Sequence, residues 1–152
     1  MPDLLLRLVR HMRWADSVVA DVLAPGDPSG GEATRLFAHI ASVEHLWYAR
    51  IVGRPAEHAV WPSLDLTAAR ALAARHAELF ERLVSDADAS SLGRSVEYRN
   101  SAGRDYHNTI ADIVLHTTVH GEHHRGQIAR LIRAAGGDPP HTDYILFARR
   151  DQ

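Results

Sequence analysis

Apolar residues recur every three to four positions through four long stretches of this chain, the spacing of helices that bury one face. Over residues 2–23 the stripe is Leu4, Leu5, Leu8, Met12, Ala15, Val19 and Val22; Pro2 suits a first helical turn, and Pro25-Gly26 stops the element. Over residues 32–52 it is Leu36, Ile40, Val43, Leu46, Trp47 and Ile51, with Gly53 as the stop. A loop with Pro55 and Pro62 follows, and a third segment starts near Asp65 or Thr67, either able to cap it, and runs to about residue 85. Its stripe is Leu66, Ala69, Leu72, Ala73, Leu79, Phe80 and Leu83. Residues 91–106 break the pattern: 95–99 alternate and 100–103 have turn composition, which predicts a short irregular hairpin. The fourth long segment begins near Asn108 or Thr109 and stops before the GGDPP of residues 136–140. Residues 144–149 are expected to form a short terminal helix capped by Thr142 or Asp143. Four amphipathic helices without an internal repeat predict an all-α four-helix bundle, in one domain over residues 1–152.

Composition narrows the function. A chain of 152 residues buries roughly two-thirds of its unfolded surface and needs no covalent staple. Its 17 basic and 19 acidic residues leave a net charge of -2, which argues against a nucleic-acid partner and against an electrostatic membrane anchor. Cysteine is absent, so a metal must be held by imidazole or oxygen, and any reacting thiol must come from outside. The first segment carries Asp3, Arg7, Arg10 and Arg13 and lacks the apolar run of a signal peptide, so the cytoplasm is the expected location.

Histidine is the unusual residue, with eleven copies, and helical phase sorts them. In the fourth segment His120 and His124 share the face of Ile110, Ile113, Thr117, Ile128, Leu131 and Ala135, near its centre; His116 and His123 lie toward one edge, suited to a supporting role or to solvent. In the second, His39 shares the arc of Leu36, Val43 and Leu46, whereas His45 points to the opposite side. His76 falls on the core face of the third segment, as a hydrogen-bonded core histidine commonly does; His11 sits at the margin of the first stripe. His58, His107 and His141 fall in loops or at termini.

A buried polar group without a partner costs roughly 1–3 kcal/mol. Two imidazoles at i and i+4 lie one above the other and can both give a lone pair to one cation. Adding His39 from a facing helix makes a three-nitrogen set with coordination positions left open, the pattern of catalytic rather than structural zinc sites. Other metal motifs are excluded by spacing. A zincin needs a Glu directly after its first His, but Gly121 follows His120 here, and Glu122 is about 200° around the helix. A di-iron bundle needs paired Glu-x-x-His motifs, which the helices lack. Gly121 and Gly126 sit mid-helix, either tolerated or marking a close approach; Trp14 and Trp47 read as packing, and Arg125 as an ion-pair partner.

The HTTVHGEHHRGQ of residues 116–127 closely resembles the C-terminal signature of the DinB/YfiT-like family, His-x-x-x-His-Arg-Gly-Gln. FAHIASVEHLW at 37–47 is similar to the family's helix-two histidine segment, MRWAD at 12–16 to its helix-one aromatic stretch, and 136–140 with 143–147 to its tail. The resemblance implies a bundle of up-down-down-up topology, often a homodimer, with a divalent metal, zinc or nickel, on His39, His120 and His124. It also implies kinship with thiol-dependent transferases and isomerases that use a small thiol such as bacillithiol or mycothiol.

Three functions compete. The first is a metal-dependent enzyme of thiol S-transferase, isomerase or hydrolase type, acting on a small-molecule substrate with a low-molecular-weight thiol as partner. His116, His123 and His76 are its candidates for proton transfer. The second is a non-catalytic metal or small-ligand binding protein of stress response, its coordination sphere closed by His76. The third is a helical dimerisation unit whose histidines are merely buried. Ligand type does not choose the metal, because imidazole suits zinc, nickel, copper and iron alike.

Overall fold

The computed structural model describes residues 2–100 and 102–150. Its long helices are α1 (Pro2–Leu23), α2 (Glu32–Ile51), α3 (Leu66–Ser85) and α5 (Ile110–Ala134); α4 (Ala89–Leu92) and α6 (Tyr144–Ala148) are short. Strands β1 (Ser95–Arg99) and β2 (Asp105–Thr109) pair antiparallel, with Tyr98 opposite Tyr106. The hairpin is thus a regular ladder rather than an irregular one, and Ser101, in its expected turn, lies outside the described residues. No helix of the described residues is long and apolar enough to cross a membrane.

Local chemistry sets the helix starts. Asp65 caps α3 by accepting from the Ala68 N–H at 2.8 Å. Thr109 and Asp112 form a reciprocal capping box, which fixes where α5 begins and so the phase of its histidines. The four-residue α4 was not expected; Asp88 caps it through the Ser91 N–H, and it buries Leu92. α6 follows Asp143, but neither Thr142 nor Asp143 caps it with its side chain: the Thr142 hydroxyl faces Glu122 instead. α6 is held by aromatic contacts, with His11 ringed by Trp14, Tyr144 and Phe147 and its Nε2 donating to the Thr142 carbonyl at 2.7 Å. His11 is therefore buried, not marginal.

α3 packs between α1 and α2, and α5 closes the other side against the same two helices. The buried stripe of α1 is rotated from the expected one. Leu5, Val9, Met12, Ala15, Asp16, Val19, Ala20 and Leu23 face inward, while Leu4 is 59% exposed. α2 has no solvent face along residues 37–45, which are buried without a break because α3, α5 and the 52–65 loop surround it. Ala135 and the flanking position of His120 and His124 also depart from expectation: the buried line of α5 runs through Val114, Thr117, Thr118, Gly121, Arg125, Ile128 and Ile132.

The apolar core divides in two. One cluster gathers Leu5, Val9, Met12, Phe80, Ile113 and Val114; the other gathers Val19, Leu23, Phe37, Ile40, Ile128 and Ile132. Between them along α1, α2 and α5 lies a polar layer of Asp16, Glu44 and Arg125. Arg125 Nη1 donates to Asp16 Oδ1 at 2.7 Å, and its Nε donates to Glu122 at 3.1 Å. Burial works against the guanidinium's charge, but Asp16, Glu122 and Glu44 outweigh it. Burial also raises both carboxyls; at Asp16 it is opposed by Arg125, whereas Glu44, near Asp16 and with neither oxygen hydrogen-bonded, is pushed far up toward its protonated form.

Candidate metal centre

α2 and α5 together bring His39, His120 and His124 to one focus. One ligand-capable nitrogen from each lies within 4.8 Å of the others. The rings of His120 and His124 are 4.5 Å apart, and those of His39 and His124 are 4.7 Å apart and near-perpendicular. His39 is buried, and the other two are half-buried, so the group closes toward α2 and opens on the outer side of α5.

Hydrogen bonds settle which nitrogens are free. His39 Nδ1 donates to the Val60 carbonyl at 2.7 Å, which leaves Nε2 with its lone pair. His124 Nδ1 meets Gln127 Oε1 at 2.6 Å, and the same amide gives its Nε2 to His123 Nε2 at 3.2 Å, so His124 also keeps a bare Nε2. That Nε2 faces His120 Nε2 at 3.2 Å. The spacing is near the roughly 3.3 Å edge of a tetrahedron with metal–nitrogen bonds of about 2.0–2.1 Å. With His124 Nε2 bare, this contact is a hydrogen bond when His120 carries its proton on Nε2, and a pair of lone pairs that a cation can share when His120 carries it on Nδ1. The residues present therefore fit a divalent ion bound by three imidazoles.

Electrostatics keep His39 and His120 unprotonated. Burial lowers His39, and burial followed by the neighbouring His124, His39, His116 and His123 takes His120 down to about 3. These two donors are available as neutral imidazoles at neutral pH, as metal ligation requires.

The 52–65 loop adds contacts that helical phase does not reach. Trp61 stacks on His39 with centroids 3.8 Å apart and planes 9° from parallel, and the Arg35 guanidinium lies over the Trp61 ring at 4.8 Å. Ser42 donates to the Ala59 carbonyl and Glu57 N–H to His45 Nε2, so α2 side chains grip the loop at three points. His45, expected to point away, is buried and takes part in this grip.

The other candidates separate. His76 is not near the focus: its Nδ1 donates to the Leu72 carbonyl at 2.9 Å and its Nε2 accepts from His45 Nδ1 at 3.1 Å. It cannot close the coordination sphere as a fourth ligand. His123 is engaged with Gln127, while His116 lies between Trp47 and His120, at ring distances of 5.1 and 5.6 Å. Burial and Arg50 hold His116 below its ordinary value. Trp47 is thus a wall beside the site. Gly121 is the close approach rather than a tolerated fault, since a Cβ there would meet Arg125 Nη1 at 2.8 Å; Gly126 faces open space. Asp16 and Glu44 were not singled out as core groups, although both stand where apolar residues belong.

In comparison with known proteins, the model for the DinB family matches residues 1–152. No curated protein and no solved structure matches the chain.

Proposed function

Because the chain belongs to the DinB family, matched over residues 1–152, and its three histidines share one focus, we propose that it is a divalent-metal-dependent enzyme of thiol S-transferase, isomerase or hydrolase type. His39, His120 and His124 would hold the metal, zinc or nickel, through their Nε2 atoms. When bound there, the ion supplies Lewis acidity that lowers the pKa of a coordinated thiol or water toward neutrality. The observation that carries this reading is the fixed orientation of the set: Val60 and Gln127 hold the Nδ1 atoms of His39 and His124, leaving the donor atoms turned to a common point and one side open.

The surrounding side chains have separate tasks. Trp61 covers one face of the His39 ring and so fixes its plane. His116, one turn before His120 and neutral, is the group we assign to take up a proton from a substrate on the open side, at whichever ring nitrogen faces it. The missing cysteine fits a thiol brought as a small-molecule partner. A cytoplasmic homodimer without nucleic-acid or membrane partners completes the proposal; Leu115 and Val119, one turn apart on α5 and 45% and 60% exposed, offer an apolar edge for the second copy. The closed-site reading is disfavoured by the position of His76, and the purely structural one by the convergence of three imidazoles on one focus.

The test has two stages. Elemental analysis of native, untagged protein is expected to find about one divalent ion per chain, lost in His120→Ala; a dialysed protein without metal would overturn the site. Stopped-flow conjugation of a model electrophile with several small thiols is expected to run faster in the loaded protein than in the stripped one. Equal rates would leave a metal-binding protein and remove the enzyme.

A further inference from the structure

A second cluster of histidines lies on another face of α2, away from the focus of His39, His120 and His124. The ring of His45 lies 5.2 Å from that of His58 and 4.9 Å from that of His76. This is not a second metal centre. Glu57 N–H donates to His45 Nε2 at 2.7 Å, His45 Nδ1 donates to His76 Nε2 at 3.1 Å, and His76 Nδ1 donates to the Leu72 carbonyl at 2.9 Å. Every nitrogen of the two inner rings is spent in that chain. Only His58 retains both of its own.

The cluster forms one wall of a cavity of about 240 Å³ between α2, α3 and the 52–65 loop. The half-buried Tyr48, Leu72 and Leu79 give it an apolar base, and the exposed Val52 stands at its edge. At its rim stand Arg54 and Arg75, and among the described residues neither comes within 4.0 Å of a carboxylate. Glu57 is the one acid lining the cavity. Two unpaired guanidiniums and a free imidazole converge on a space with a greasy base. Arg75 and His58 already work against protonation of both His45 and His76. An excess of uncompensated positive charge around a concave apolar surface calls for an anion with an apolar body.

We propose that this cleft binds a small carboxylate with an apolar body, its head group taken by Arg54 and Arg75 and its body laid on Leu72 and Leu79. The planar fork of a guanidinium matches a carboxylate in two parallel hydrogen bonds. The volume, space for about eight waters at roughly 30 Å³ each, suits a ligand of about benzoate size. Inorganic phosphate shares the charge but has nothing to place on the floor. The proposal is independent of the metal reading, because no residue of this cavity belongs to the triad.

Calorimetric titration of the whole protein with benzoate, benzamide and inorganic phosphate tests it. Benzoate is expected to bind at a single site, with benzamide, its uncharged analogue, at least about tenfold weaker. Arg75→Ala and Arg54→Ala are each expected to weaken benzoate by about tenfold; both residues are exposed, so circular dichroism should confirm an unchanged fold. His120→Ala should leave the benzoate titration as it was. Absence of benzoate binding at millimolar concentration would overturn the assignment. So would equal binding of benzamide, a preference for phosphate over benzoate, or loss of binding in His120→Ala.

Discussion

Asp16 and Arg125 meet at 2.7 Å, 109 residues apart in the chain, with both side chains at or below 5% exposure. The pair ties α1 to α5 one residue beyond His124 and so sets how α5 is rotated against the bundle. Removing Arg125 strands Asp16 in a low-dielectric layer between two apolar clusters, and removing Asp16 leaves the buried Arg125 only the more exposed Glu122 as an ion-pair partner. Asp16→Asn is expected to lower stability by about 3–5 kcal/mol, measured by urea unfolding, whereas the joint replacement Asp16→Leu with Arg125→Met should cost much less than the sum of the single changes. Strict additivity would mean that the two groups are stabilised separately.

The two glycines of α5 give opposite results. Alanine at 121 puts its Cβ 2.8 Å from Arg125 Nη1, and the guanidinium cannot swing away because it is buried and ion-paired. Gly121→Ala is expected to destabilise by about 1–3 kcal/mol in spite of alanine's better helix propensity. Position 126 has nothing within 4 Å of the added carbon, so Gly126→Ala should stabilise by about 0.5–1 kcal/mol. Thermal unfolding of the two variants separates them, and a shift of the same sign in both would refute the packing argument.

Glu44 makes stability fall as pH rises. Burial, then Asp16, raises its pKa well above the ordinary 4.5, so the folded chain keeps a proton that the unfolded chain gives up. Stability from this group is whole below pH 4.5 and is lost as pH climbs through the raised folded value. Glu44→Gln keeps the size of the side chain and removes the titration. Relative to the parent, this variant should gain stability with increasing pH, by up to about 1.4 kcal/mol per unit. A difference that stays flat from mildly acidic to mildly basic pH would place the proton elsewhere.

How legible was all this in the chain itself? The triad was, because i and i+4 on one helix and the phase of His39 on another are matters of counting. The burial of Asp16 was open to the same counting: it stands four residues after Met12 and three before Val19, both fully buried. Its partners were not readable, since contacts spanning 109 residues leave no local trace. His45 was misplaced because phase analysis assigns each helix one inner face, and α2 has a loop and two helices around it. Trp61 and Val60 act from a loop, where no period relates sequence to direction.

Gln127 orients His124, and its loss should be felt at the metal rather than in the fold. The side chain is exposed, so Gln127→Leu leaves the core untouched, but it frees the His124 ring to turn and to carry its proton on either nitrogen. Partners of this kind are worth about 10–100-fold in metal affinity. Competition against a chromophoric chelator should show such a loss with unchanged stoichiometry. Unaltered affinity would mean that His124 is oriented by its own packing.

The chain of donors from Glu57 through His45 and His76 to Leu72 has a direction, and that direction predicts its response to acid. Each ring uses one nitrogen as donor and the other as acceptor, an arrangement open only to neutral imidazole. A proton added to His45 would meet the Glu57 N–H, and one added to His76 would meet the His45 Nδ1–H. Burial lowers both rings below the ordinary 6.5, reinforced at His45 by His58 and opposed at His76 by the bond to Leu72. The unfolded chain therefore takes up protons before the folded one, so this contribution is complete above pH 6.5 and is lost as pH falls through the lowered folded values. The Glu57 amide resonance should hold its position down to pH 6.5 and move only below it, as the bond to His45 breaks and the loop that carries Val60 and Trp61 loosens. His76→Leu should shift that midpoint, since it removes the acceptor of His45 Nδ1. A midpoint at or above 6.5 in the parent protein would show that the two rings do not form the directed pair described.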